Sequence, residues 1–136
     1  MAAALATMEV NSSKYDFIEL RTRAEFLDLC GDADRAEELR QLSVEVGREV
    51  DLNCYAYQLL WRGQIEAAFD LLYRNLETHT HSWNVYDSLA EAYAMIGDTE
   101  SAIDHYGRAL TLVRDRDQKT RIRSILLHLR GLTESE

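Results

Sequence analysis

With 136 residues, 46% hydrophobic and 29% charged, the chain is long enough to bury one core and too apolar for a solvated, disordered segment. A net charge of −9 excludes nucleic acid as the main ligand, because phosphate contacts need a basic footprint. Six Gly, no Pro and no long stretch alternating at period two leave all-α as the expected class. The charge is uneven: 8 Lys/Arg face 20 Asp/Glu up to Gly107, a net −12, and 7 face 4 from Arg108 onward, a net +3.

In chain order, residues 1–12 read as a tail, frayed or forming a short helix that leans Leu5 and Met8 on a neighbour. Its apolar run has no basic residue before it and meets Glu9 at once, which fails as a signal peptide. No apolar run approaches the ~20 residues of a membrane span, so a cytoplasmic protein without a membrane role is expected. Cys30 and Cys54 form no metal or redox motif and read as partly buried thiols of a reducing compartment.

Residues 13–48 suggest a first hairpin. A helix from Ser13 to Leu29 puts Phe17, Leu20, Ala24 and Leu27 on one face, Cys30-Gly31-Asp32 breaks it, and Ala33 to Val46 turns Ala36, Leu39, Leu42 and Val46 inward. Residues 49–81 make a second hairpin. Leu52, Tyr55, Ala56 and Leu59 stripe a helix from Asp51 to Arg62, and Ile65, Ala68, Phe69, Leu72 and Leu76 stripe its partner. In residues 82–115 the large inner residues are Tyr86, Leu89 and Tyr93, then Ile103, Tyr106 and Leu110, at amphipathic spacing. After Asp117 a capping helix within residues 116–131 shows Ile122, Ile125, Leu126 and Leu129 on one side, with Lys119, Arg121, Arg123 and Arg130 largely away from it. Residues 132–136 read as a tail.

Sliding the sequence by 34 places sets Gly97 on Gly63, Ala102 on Ala68, Ala90 on Ala56, Asp104 on Asp70 and Arg108 on Arg74. Ala90 and Ala102 fall where two helices cross, and a methyl group is about the largest side chain that allows backbones to approach to roughly 8–10 Å. Gly97 supplies a reversal that favours positive φ, and Asp98 an N-cap. Gly31 with Ala36 copies the spacing of Gly63 with Ala68, as a degenerate repeat would. Arg23 and Arg40 stand where the other hairpins have Tyr55 or Leu89 and Leu72 or Tyr106, as a generic capping hairpin would.

Tyr86, Leu89, Ala90, Tyr93, Gly97, Ala102, Tyr106 and Ala109, repeating at 34 residues, resemble the tetratricopeptide repeat family. Thr80 and Arg114 occupy places where that family usually has proline. More narrowly, residues 53–113 are similar to the C-terminal repeat segment of some bacterial serine-hydrolase and β-lactamase-like proteins, without their catalytic domain. The resemblance implies an α-solenoid of antiparallel hairpins wound as a right-handed superhelix, whose leading helices line a concave groove. Carried onto this chain, the groove residues are Asn53, Tyr57 and Trp61, then Asp87, Glu91 and Met95, then Arg121 and Ile125. Relatives that grip C-terminal carboxylates use Lys, Asn and Arg there. Asp87 and Glu91 would repel a carboxylate, which implies a neutral or basic peptide with apolar anchors at Tyr57, Trp61 and Met95. Aromatic residues at helical spacing are equally suited to a core.

Catalytic chemistry finds no footing. The glycines are never closer than ten residues, so no Gly-x-Gly-x-x-Gly, Gly-x-Ser-x-Gly or P-loop can be written. No Ser stands three places before a Lys, and no His-Glu-x-x-His occurs. His79 and His81, with Glu77 nearby, lack the ligand number of a metal site. Asp87 and Glu91 at i,i+4 are read as a solvated acidic face or part of the groove. The expectation is a non-enzymatic module without cofactor or metal that binds a protein or peptide. The alternative is a structural homo-oligomer, or the detached accessory tail of a hydrolase, associating through apolar faces at 17–29 and 122–132.

Overall fold

Most of the helices begin where a short polar side chain takes up free backbone N–H groups, and three of them stop at a glycine of positive φ. In the computed structural model, which describes residues 16–135, the protein is all-α, with seven helices and no strand among the described residues. They are α1 (Phe17–Leu29), α2 (Ala33–Val46), α3 (Glu49–Trp61), α4 (Ile65–Thr78), α5 (Trp83–Met95), α6 (Thr99–Leu112) and α7 (Arg116–Glu134).

Five of the seven start on a side-chain cap. Asp16 accepts the Glu19 N–H while the Glu19 carboxylate accepts the Asp16 N–H, a reciprocal box that satisfies two donors at once. Asp32, Ser82, Asp98 and Asp115 accept from Arg35, Val85, Ser101 and Gln118 respectively. Asp98 is thus the N-cap that the sequence suggested.

The three reversals are built alike. Gly31, Gly63 and Gly97 have φ of 84°, 76° and 82°. At each, the residue after the glycine donates to a carbonyl five places back, Asp32 to Leu27, Gln64 to Leu59 and Asp98 to Tyr93. The glycine itself donates three places back, to Asp28, Leu60 and Ala94. This double bond from a left-handed residue closes a helix end without an orphan carbonyl. Five residues on, Ala36, Ala68 and Ala102 are fully buried. The stop after α6 is made without proline: Val113 is buried with φ −67° and ψ 135°, the extended conformation that a following proline would enforce, and Asp115 caps the next helix.

The chain divides into two compact units, Met1–Asp51 and Leu52–Glu136. In the first, α1 packs on α2 around Leu20, Ala24, Leu27 and Ala36, with Leu39 partly buried beside them. Where the other hairpins place Leu72 and Tyr106, this one has Arg40, whose guanidinium turns to Asp28 at 2.6 Å and Glu37 at 2.9 Å. A hydrogen-bonded ion pair stands where core would otherwise be. The hairpin shares its turn with the others and departs from them in its packing.

In the second unit α4 packs on α5, α5 on α6 and α6 on α7. Ala90, Ala102, Tyr106, Ala109, Val113, Ile122, Leu126 and Leu129 form one buried cluster, against which Tyr86, Tyr93, Ile103, Leu110 and Ile125 pack. The small residues bring α5 and α6 together, and α7 covers what they leave. Burying Ile122, Leu126 and Leu129 stabilises the covered face by about 1.5–3 kcal/mol per side chain.

Several boundaries differ from expectation. The first helix starts at Phe17 on its Asp16 cap and not at Ser13, because the box fixes the start. Helix α7 runs to Glu134, so 132–134 are helical and not tail. Phe17 and Leu42 are only partly buried. Cys30 and Cys54 are exposed and unpaired, where partial burial was expected. Residues 1–12, with Leu5 and Met8, lie outside the described residues. Among the described residues no helix is long and apolar enough to cross a membrane.

Candidate functional site

The eight groove positions all lie in the second unit, on α3, α5 and α7, and they recur at the 34-residue offset. Asn53, Asp87 and Arg121 form one row, Tyr57, Glu91 and Ile125 the next, and Trp61 with Met95 follow one turn further along α3 and α5. Two contacts tie equivalent positions together. The Tyr57 hydroxyl donates to Glu91 Oε2 at 2.5 Å, and Arg121 Nη2 lies 2.8 Å from Asp87 Oδ1. Each joins side chains 34 residues apart, the first from α3 to α5 and the second from α5 to α7.

The structure separates these residues by accessibility. Asn53 is 4% exposed and Asp87 8% exposed, so neither can offer a polar head to a ligand as expected. Asn53 Oδ1 instead accepts from Nδ2 of the fully buried Asn75 at 3.0 Å, and Asn75 Oδ1 lies 2.9 Å from the His79 ring. Asp87 holds Arg121 in an ion pair that is not a linear hydrogen bond. Arg121 was expected largely away from the packed side of α7 and is drawn to this carboxylate. Ile125 packs against the core cluster.

Trp61, at 77% exposed, and Met95, at 50%, face solvent. The alternative that they fill the core falls for both. Tyr57 is intermediate, its ring 6.3 Å from that of Trp61 and tilted by 45°. Glu91 is exposed. The face therefore consists of Tyr57, Trp61, Glu91 and Met95, floored by the engaged polar pairs.

Burial is the main electrostatic influence here. It pushes the Asp87 carboxyl above its ordinary value, Arg121 pulls it back, and Glu91 adds to the rise. Burial first, then the bond to Glu91, raises the Tyr57 phenol. Tyr106 is pushed up to about 12 by burial and by the charges of Asp87 and Glu91. Both phenols therefore stay protonated at neutral pH, and that of Tyr57 serves as a donor to Glu91. With Asp87 offset by Arg121, Glu91 leaves the face net negative.

A second cluster was not anticipated. The Tyr73 and Tyr93 hydroxyls lie 2.6 Å apart, and Tyr93 packs on Phe69 and His105 with ring centroids 4.7 and 5.0 Å away. Arg108 lies 5.7 Å over Tyr86. Burial, then the bond to Tyr93, pushes Tyr73 up to about 12. Tyr86 and Tyr93 were visible as inner residues, but the convergence of Tyr73 and His105 on them depends on how α4 and α6 meet α5. His79, considered as a metal ligand, points its Nδ1 at Asn75. Among the described residues no group of three His, Cys, Asp or Glu could hold a metal ion.

In comparisons with known proteins, no family model matches the chain and no curated protein matches it.

Proposed function

We propose that the protein is a non-enzymatic interaction module, an α-solenoid of tetratricopeptide type, that holds a neutral or basic peptide segment or partner domain against the face of Tyr57, Trp61, Glu91 and Met95. One observation carries this reading. An indole and a thioether stand in solvent one turn beyond a tyrosine–carboxylate bond, at equivalent places on successive leading helices. Large apolar side chains grouped at the surface beside polar ones mark a contact surface. Tryptophan supplies interface energy at low entropic cost, and methionine adapts to the shape of its partner. A cytoplasmic setting accords with exposed free thiols at Cys30 and Cys54.

Peptides selected from a displayed random library against the full chain test it. They should bind the wild type and lose at least about tenfold in affinity, some 1.4 kcal/mol, to Trp61→Ala/Met95→Ala. The melting temperature should barely move, because both side chains are exposed. Selected peptides that bind the double variant equally well would place the surface elsewhere.

Self-association is the second reading, favoured by Ile18, Phe26 and Leu29 exposed on α1 and Leu127 and Leu132 exposed on α7. Sedimentation over a wide concentration range separates the two. A mass that stays monomeric removes the oligomer.

A further inference from the structure

Tyr57, Trp61 and Glu91 form a constellation narrower in chemistry than a general groove. The Tyr57 hydroxyl occupies Oε2 of Glu91 and leaves Oε1 without a protein donor among the described residues. No basic side chain pairs with Glu91 among those residues, since Arg121 is committed to Asp87. The Tyr57 ring, 6.3 Å from that of Trp61, thus sits next to a carboxylate with an open position and an uncompensated charge.

Resting on the groove reading above, the geometry points to a cation subsite: an arginine or lysine side chain of the partner lies over Trp61 and Tyr57 and sets its charged head at Glu91. The argument is one of compensation. A side chain laid along the Tyr57 ring to its hydroxyl strips water from Glu91, and a carboxylate desolvated without a partner is costly. A cation with N–H donors repays that loss. The face of an indole is the strongest aromatic partner for such a cation. Arginine fits better than lysine, because its planar guanidinium stacks on a ring while its edge donates to a carboxylate. The unit that carries the site favours the same ligand, with 9 Lys/Arg against 12 Asp/Glu over Leu52–Glu136, a net −3. Tyr57 is the fixed element of the subsite, its ring pinned by the hydroxyl bond to Glu91, while Trp61 projects into solvent and can close over the ligand.

The test uses two blocked peptides, acetyl-Ala-Leu-Arg-Leu-Ala-amide and its counterpart with citrulline, which keeps the shape of arginine and removes the charge. Each is titrated into the ¹⁵N-labelled full chain while the Trp61 indole N–H is followed, its signal identified by loss in Trp61→Phe. The arginine peptide should bind about tenfold more tightly than the citrulline peptide, and Glu91→Gln should make the two alike. The amide keeps an acceptor for Tyr57, and unchanged spectral dispersion elsewhere shows that the variant is folded. Equal binding of both peptides to the wild type, or an arginine preference that survives Glu91→Gln, overturns the cation subsite and leaves the groove standing. A Trp61 signal unmoved by either peptide up to roughly 10 mM overturns the subsite as well, and the groove is then judged by the library-selected peptides alone.

Discussion

At the scale of single residues, the polar side chains buried beneath the face carry the clearest consequences. Asp87 holds its proton more tightly in the folded chain than its ordinary value of 3.8, because burial outweighs the pull of Arg121. A carboxyl with a raised folded pKa supports the fold most at low pH. Its contribution declines as pH rises from the unfolded value through the raised one, and is level above it. Asp87→Asn removes that slope. Its melting temperature relative to wild type should therefore improve as pH rises through and beyond 3.8; a difference that stays constant over that rise would mean that Asp87 titrates as in the unfolded chain. Asn75 makes the opposite case, a buried group held by partners. Removing it in Asn75→Ala strands the Asn53 amide and should cost about 2–3 kcal/mol in urea unfolding. Replacing both, Asn53→Leu with Asn75→Leu, should cost less than the single change, since apolar groups of similar shape no longer strand one amide against the other.

At the scale of the element, one turn design serves three reversals, and its requirement is conformational and not steric. A Cβ built on Gly97 meets nothing within 4 Å, yet φ is +82°. Gly97→Ala should lower stability by about 1–2 kcal/mol through backbone strain alone. Gly107, inside α6, also has open space, with no positive φ. There Gly107→Ala should raise stability by about 0.5–1 kcal/mol by restricting the unfolded chain and favouring helix. Thermal melting of the two variants reads the difference in sign. A loss at both positions would point to crowding that the backbone geometry does not contain.

At the scale of the whole molecule, the two compact units differ in the apolar side chains that their described residues bury. Among the described residues the first buries Leu20, Leu27 and two alanines, and spends a core position on the Arg40 ion pairs. Ion pairs this exposed contribute little. The second buries Val85, Leu89, Tyr106, Ile122 and Leu126 among others. Local opening follows apolar burial, so backbone amides in the middle of α1 and α2 should exchange hydrogen through openings of lower free energy than those of α5 and α6. Equal protection in native-state exchange would show that the first unit draws on stability beyond its own core. The exposed Leu29 and Leu127 belong to this scale too, as apolar side chains that the described part of their own unit leaves in solvent.

The sequence by itself determined the helices, their reversals and most of their buried faces. These depend on signals a few residues apart: the amphipathic period, Asp98 before its helix, Gly97 at positive φ, alanine where helices cross. The span read as about Ala33 to Val46 agrees with the helix for that reason. The sequence also placed eight residues in one row, correctly as to the helices that bear them. Only the tertiary structure decided which of the eight are exposed. Asn53 finds Asn75 across 22 residues, whereas Tyr57 finds Glu91 across 34 and Asp87 finds Arg121. Such pairings depend on the angle and depth at which one helix meets another. A turn of helix face by less than one residue separates a buried amide from a solvent-facing indole, and the packing of distant segments sets that turn.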